Sequence, residues 1–249
     1  MKKIKAFCVI AASLVMITGL SVIYEKETEK KETETTYERQ GLPICSGESG
    51  RREAALSFHV ADDTEQLASL LHMLEEEGIS ATFFVHGKWV REYPDFLKNM
   101  VEKGHEIGNH GEHYRQMTQM PKKRCREEIL MLHERVKELT GYEMKVFTPP
   151  YGITNARLVR WVRDWNYRAV GWSVDSMDWK EYGEEDMVKR MTDPGRIVEG
   201  DILLFRTDTD VEALRQIIHS LKKQGFQMVT ISRIIEKQNL GKIIRGTSE

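Results

Sequence analysis

Three joints of one kind punctuate this chain: Glu77-Gly78-Ile79, Lys103-Gly104-His105 and Gln224-Gly225-Phe226. Each glycine closes a helix-like stretch and hands over to a strand-like one, the use to which a left-handed C-terminal cap is put. Leu67, Leu70, Leu71 and Leu74 stripe the first helix, and Leu214, Ile217, Ile218 and Leu221 the last long one. Ser80-Ala-Thr-Phe-Phe-Val85 and Asp201-Ile-Leu-Leu-Phe205 are short runs rich in apolar residues, read as buried strands. Ala54–Phe58, His105–Ile107, Lys145–Phe147, Tyr167–Val170 and Gln227–Ile231 complete the strand set. Further helices are predicted after Pro94, from Pro121 to Gly141, and along Leu158, Trp161, Val162 and Trp165. Strand, helix, glycine, strand is the grammar of a parallel sheet. About seven such strands with one core predict an α/β fold, a distorted and nearly closed (β/α) barrel.

The first 24 residues are a different material. Lys2, Lys3 and Lys5 precede an uncharged run from Ala6 to Tyr24. As a helix it is just long enough to span roughly 30 Å of hydrocarbon. No small-x-small cleavage site precedes Glu25, so a single-pass signal anchor is expected, with a cleaved signal peptide and a secreted product as the alternative. Residues 25–50 open on alternating Glu, Lys and Thr and read as a polar linker. Residues 51–238 form the domain, and 239–249 a polar tail. A net charge of -2 calls for no nucleic-acid partner. Cys8 lies in the apolar run, and Cys45 and Cys125 are expected to be free or partly buried, with their pairing left open.

In a parallel barrel, chemistry collects at the C-terminal ends of the strands. His59, His110, Thr148, Asp175 and Arg206 all fall there. Gly104-His-Glu-Ile-Gly-Asn-His110-Gly-Glu-His113 places two imidazoles three residues apart after a strand, a spacing that suits a metal. His86 ends the second strand, facing the mouth or a loop. Tyr151 and Trp179, also at strand ends, offer flat faces for a sugar ring. Trp161 and Trp165 read as core, and His72, His133 and His219 as solvent-facing. Asp62 and Asp63 are expected to cap the helix that follows Thr64.

From about Leu42 to Ile235 the chain resembles the polysaccharide deacetylases, the NodB-homology domain of carbohydrate esterase family 4. It is most similar to their membrane-anchored and sporulation-linked members. The resemblance is carried by Ala81–Val85, Gly104–His110, Pro149-Pro-Tyr-Gly152 and Trp172-Ser-Val-Asp-Ser-Met-Asp-Trp179. It implies hydrolysis of acetamido groups on amino-sugar polymers. It also implies a divalent metal, most simply zinc, held by an Asp and two His, with a second Asp as base and a later His as acid.

Several of those positions are occupied otherwise here. The Thr-Phe-Asp-Asp of the family is Ser57-Phe-His59-Val60, and its second histidine falls on Tyr114, one residue after His113. Its Arg-Pro-Pro-Tyr begins with Thr148. Its Leu-Leu-x-His ends with Arg206, a permanent cation that delivers no proton near neutrality. Asp175, Asp178 and Trp179 match. The changes look concerted: with His59 in place of the base, an Arg at 148 would lose its partner. Asp175, without its His, is expected to take Arg206 in a salt bridge.

Three functions remain open at this point. One is a degenerate, non-catalytic module that binds or regulates at cell-wall or spore polysaccharide. Another is an active deacetylase with a zinc site rewired onto His59, His110 and His113. The third is a structural envelope or sporulation protein.

Overall fold

The protein was described from a computed structural model, which places residues 41–47, 50–62, 64–180 and 182–235. The expected membrane segment, most of the linker and the polar tail lie outside the described residues. Among those described, no helix is long and apolar enough to cross a membrane. The chain divides into a unit at Met1–Thr36 and one at Tyr37–Glu249, and only the second is described below.

Eight strands form one sheet: β1 (Glu53–His59), β2 (Thr82–Val85), β3 (Glu106–Asn109), β4 (Val146–Phe147), β5 (Arg168–Ala169), β6 (Val174–Asp175), β7 (Ile202–Arg206) and β8 (Gln227–Val229). The order is β5-β4-β3-β2-β1-β7-β6, with β8 beside the start of β1. Every pairing is parallel. Seven helices intervene: α1 (Leu67–Glu76), α2 (Gly87–Glu92), α3 (Pro94–Glu102), α4 (Lys122–Thr140), α5 (Ala156–Asp164), α6 (Glu184–Thr192) and α7 (Val211–Lys223). The α/β barrel architecture is therefore borne out, as a curled sheet rather than a closed ring. Among the described residues nothing joins β5 directly to β6. Instead Ile44 bridges to Val170 and Ser46 to Asp201. Residues 41–47 thus belong to the fold, although the polar linker was expected to reach residue 50; buried Ile44 takes them in.

Period-two alternation sets the two faces of the sheet. On β1, Ala54, Leu56 and Phe58 join the large cluster that packs against the helices, whereas Ala55 joins a smaller one with Phe84, Ile202 and Val229. The same parity puts His59 on the side of Ala55. On β7, Leu203 and Phe205 face the helices, which leaves Arg206 with Ile202. Gly108 on β3 is needed because a Cβ there would stand 2.4 Å from the Phe84 ring.

Three elements escaped the sequence reading: β6, α2 and α6, the last a nine-residue helix whose buried face is two methionines, Met187 and Met191. β6 has only two residues, too few for a periodic signal. α2 begins at a glycine but is capped by His86, whose Nδ1 accepts the Trp89 N–H at 3.3 Å. The capping role expected of Asp62 is not what it does. α1 starts after Gln66 with no side-chain cap, while Asp62 lies 3.6 Å from Lys88 Nζ. Asp63 is outside the described residues. His133 was expected in solvent and is instead half-buried, hydrogen-bonded to the Tyr167 hydroxyl. Cys45 and Cys125 are both free thiols. Trp161 and Trp165 pack against the main core.

Candidate active site at the barrel mouth

A cleft of about 870 Å3 opens at the C-terminal ends of the strands, lined by His59, Tyr114, Tyr151, Trp172, Asp178 and Arg206 among others. Among the described residues, three of the four non-glycine residues in the left-handed region stand on its loops: Tyr114 (φ 54°), Tyr151 (φ 63°) and Met177 (φ 59°). Such conformations cost about 1–3 kcal/mol each and gather where a site is held in shape.

His110 follows β3 and is buried. Its Nδ1 donates to the carbonyl of Thr148 at 2.7 Å, which fixes the neutral tautomer with the lone pair on Nε2. Burial pushes its pKa down to about 4, against a smaller upward pull from that hydrogen bond. His59, at the end of β1, sets its ring 4.5 Å from His110, tilted by 42°, with Trp172 edge-on at 5.6 Å. Burial, then His110 and then Arg206, hold His59 well below the ordinary imidazole range. His59 Nε2, His110 Nε2 and Thr148 Oγ1 are buried without a hydrogen-bond partner.

The residues that would complete a metal centre do not. Val60 offers hydrocarbon. Tyr114 brings its ring to 4.8 Å from His110, 4.9 Å from Tyr151 and 5.5 Å from His86. The ligand role expected of His113 is not supported by its contacts. Its Nδ1 lies 3.0 Å from Glu128 Oε1 and its backbone N–H donates to the same carboxylate, so α4 holds this imidazole. Among the described residues no group of three His, Cys, Asp or Glu side chains is placed to hold a metal ion. The three-imidazole set of His59, His110 and His113 is therefore not assembled, and a metal on an Asp and two His does not fit these side chains.

The expected bridge between Asp175 and Arg206 is also corrected. Arg206 Nε donates to Asp208 Oδ1 at 2.8 Å, and Nη2 to Asp208 Oδ2. Two residues away on the same turn, Asp208 reaches the guanidinium more directly than β6 does. Asp175 instead accepts the Met177 N–H at 2.8 Å. Asp178 accepts the backbone N–H of Arg206 at 2.7 Å, and burial raises its pKa. Tyr151 and Trp179 are 60% and 56% exposed on the rim, open to a ligand face.

Sequence reasoning missed Glu112. It is buried beside the cleft and ion-paired with Arg91 and with Arg135, the latter at 3.0 Å. A carboxylate between the glycine and histidine of the motif was visible; its partners on α2 and α4, 21 and 23 residues away, were not. The knot pins the loop that carries Tyr114.

Comparison with known proteins agrees with this geometry. The sequence model of the polysaccharide deacetylase family matches residues 46–170. A peptidoglycan-N-acetylglucosamine deacetylase of Bacillus cereus is 29% identical over 77% of this chain and 71% of its own. The structure of a wild-type carbohydrate esterase family 4 pseudoenzyme from Bacillus anthracis is 27% identical, with a TM-score of 0.74 over 79% of this chain and 70% of that one. A mutant of the same pseudoenzyme is described as having restored enzymatic activity. The family 4 carbohydrate esterase PdaA of Bacillus subtilis is 26% identical, with a TM-score of 0.75 over 80% of this chain and 87% of that one.

Proposed function

This chain belongs to the polysaccharide deacetylase family, and on that premise we propose that its barrel mouth binds a cell-wall amino-sugar polymer without hydrolysing it. Amide hydrolysis needs an activated water, a base and an acid that protonates the leaving amine. Arg206 stands where the family has that acid, and a guanidinium does not give up its proton near neutrality. His59 stands at the base position as a buried neutral ring. The observation that carries the reading is Tyr114: its ring packs on His110 at 4.8 Å, at the sequence position of the family's second histidine ligand. What remains is a cleft walled by Tyr114, Tyr151, Trp172 and Trp179, surfaces suited to stacking on sugar rings. The uncharged N-terminal run supports a tether to the outer face of the cytoplasmic membrane, which protease accessibility on intact cells tests directly.

The decisive assay incubates the full-length chain with chitohexaose and with peptidoglycan strands, with zinc, cobalt or manganese added. No acetate release above buffer is expected, together with measurable glycan binding by calorimetry. Metal-dependent acetate release at stoichiometric loading would overturn the proposal. The double variant Val60→Asp, Tyr114→His is expected to take up one zinc per chain that the wild type does not hold, as read by metal analysis.

A further inference from the structure

β1 and β7 pair in register so that His59 and Arg206 are direct neighbours on one face of the sheet, at the floor of the cleft. The carboxylates around them are each engaged through one oxygen. Asp62 faces Lys88 at 3.6 Å, Glu112 holds Arg91 and Arg135, Asp175 accepts the Met177 N–H and Asp178 the Arg206 N–H. The donors are not fully used. Asp208 occupies Nε and Nη2 of Arg206 in a fork, which leaves Nη1 with no hydrogen-bond partner among the described residues. The side chain is 43% exposed, so a ligand reaches it. His59 Nε2, beside it, has no partner either, but it is buried and contributes a neutral wall rather than an accessible donor.

Resting on the glycan-binding reading, we infer that the free arm of the Arg206 guanidinium selects a glycan carrying a carboxylate, such as an amino sugar with a lactyl ether, over a neutral amino-sugar polymer. A guanidinium held rigid by one carboxylate presents its remaining N–H groups to a second acceptor with little loss of side-chain freedom. The position that would serve a hydrolase as imidazole acid is thereby turned into a receptor for an anion, beside a base position that has lost its carboxylate. Asp175 stands in the same cleft as an opposing charge whose second oxygen carries no hydrogen bond among the described residues, as does Glu112 with its Oε2.

The test compares peptide-free peptidoglycan glycan strands with the same strands after methyl esterification of their carboxyl groups, and with chitohexaose. The full-length chain in mild detergent is titrated with each by calorimetry. The acid strand is expected to bind about tenfold more tightly than its ester, a margin that shrinks as salt is raised. Arg206→Met is expected to bind acid and ester alike, Arg206→Lys to keep part of the preference, and Asp175→Asn to widen it. Thermal melting of each variant reports that it is folded. Equal binding of acid and ester by the wild type, or a preference that survives in folded Arg206→Met, overturns the inference while leaving glycan binding intact. Binding to none of the three glycans overturns the glycan-binding reading and this inference with it.

Discussion

Strand β3 treats polar side chains differently at its two ends. At its start, Glu106 is buried and its carboxylate accepts from Thr82 Oγ1 at 2.7 Å, from the Ser232 N–H at 3.1 Å and from the Ser232 hydroxyl. Thr82 Oγ1 in turn accepts the Ile231 N–H at 2.9 Å. His105 next to it accepts the Ala81 N–H at 3.2 Å on Nδ1, with Nε2 left over. At the other end, His59 Nε2, His110 Nε2 and Thr148 Oγ1 are buried and unpartnered together. Apart from His105 Nε2, the base of the barrel consumes these polar groups in joining β2, β3 and the chain after β8. The mouth withholds them. A buried polar atom left unsatisfied lowers stability, so three of them at one place mark a surface kept for something other than folding.

The contrast breaks most easily at Glu106. Glu106→Ala strands the buried Thr82 hydroxyl and the two half-buried donors of Ser232, and is expected to lose about 4 kcal/mol of folding free energy in urea titrations. Glycan affinity of the folded fraction should not change, because Glu106 lies at the opposite end of the sheet. His59→Leu at the mouth replaces an unsatisfied group with an apolar one of similar size, and is expected to change stability by less than about 1 kcal/mol. Equal losses at the two positions would erase the distinction.

Acid sharpens it next. Burial, then the Lys103 ammonium, push the His105 pKa down to about 4 from 6.5. The unfolded chain binds the proton first, so the stability His105 contributes is complete above pH 6.5 and drains away as pH falls from there towards 4. A difference of that size in one imidazole is worth roughly 3 kcal/mol. His110, also at about 4, adds a second limb over the same window from the mouth. His105→Gln, followed by urea titration at stepped pH, is expected to flatten the base's share and leave that of the mouth. A pH profile unmoved by His105→Gln would remove the base from the account.

The strands and helices were legible in sequence wherever apolar residues repeated for a turn or more and a glycine closed the run, as at α1, α4 and α7. β6 was not, since two residues carry no period, and α2 was not, since it starts on glycine under a histidine cap. At the site, the strand-end positions His59, His110, Thr148, Asp175 and Arg206 were readable because a parallel sheet brings its C-terminal ends together whatever the loops do. Side-chain partners were not. Arg206 turned to Asp208 and His113 to Glu128 because the nearest opposite group on a short turn or a neighbouring helix wins over a more distant one. The Glu112 ion pairs, joining three separate elements, left no mark in the local sequence.

The smallest stability effect is expected on the rim, at Tyr151. It is 60% exposed, so its ring stabilises the fold little beyond the edge contact with Tyr114 at 4.9 Å. It also holds φ at 63°, where a tyrosine is strained and glycine is not. Tyr151→Gly removes ring and strain together. Relief of the backbone offsets the greater freedom glycine has in the unfolded chain, and the net change in stability is expected to stay under about 1 kcal/mol. Glycan binding, in contrast, is expected to weaken about tenfold through loss of an exposed stacking face. Tyr151→Phe should restore binding, because it returns the face without the hydroxyl. If Tyr151→Gly bound glycan as well as the wild type, the strained tyrosine would have no part in the ligand surface. The rim would then belong with the base of the barrel, as structure alone.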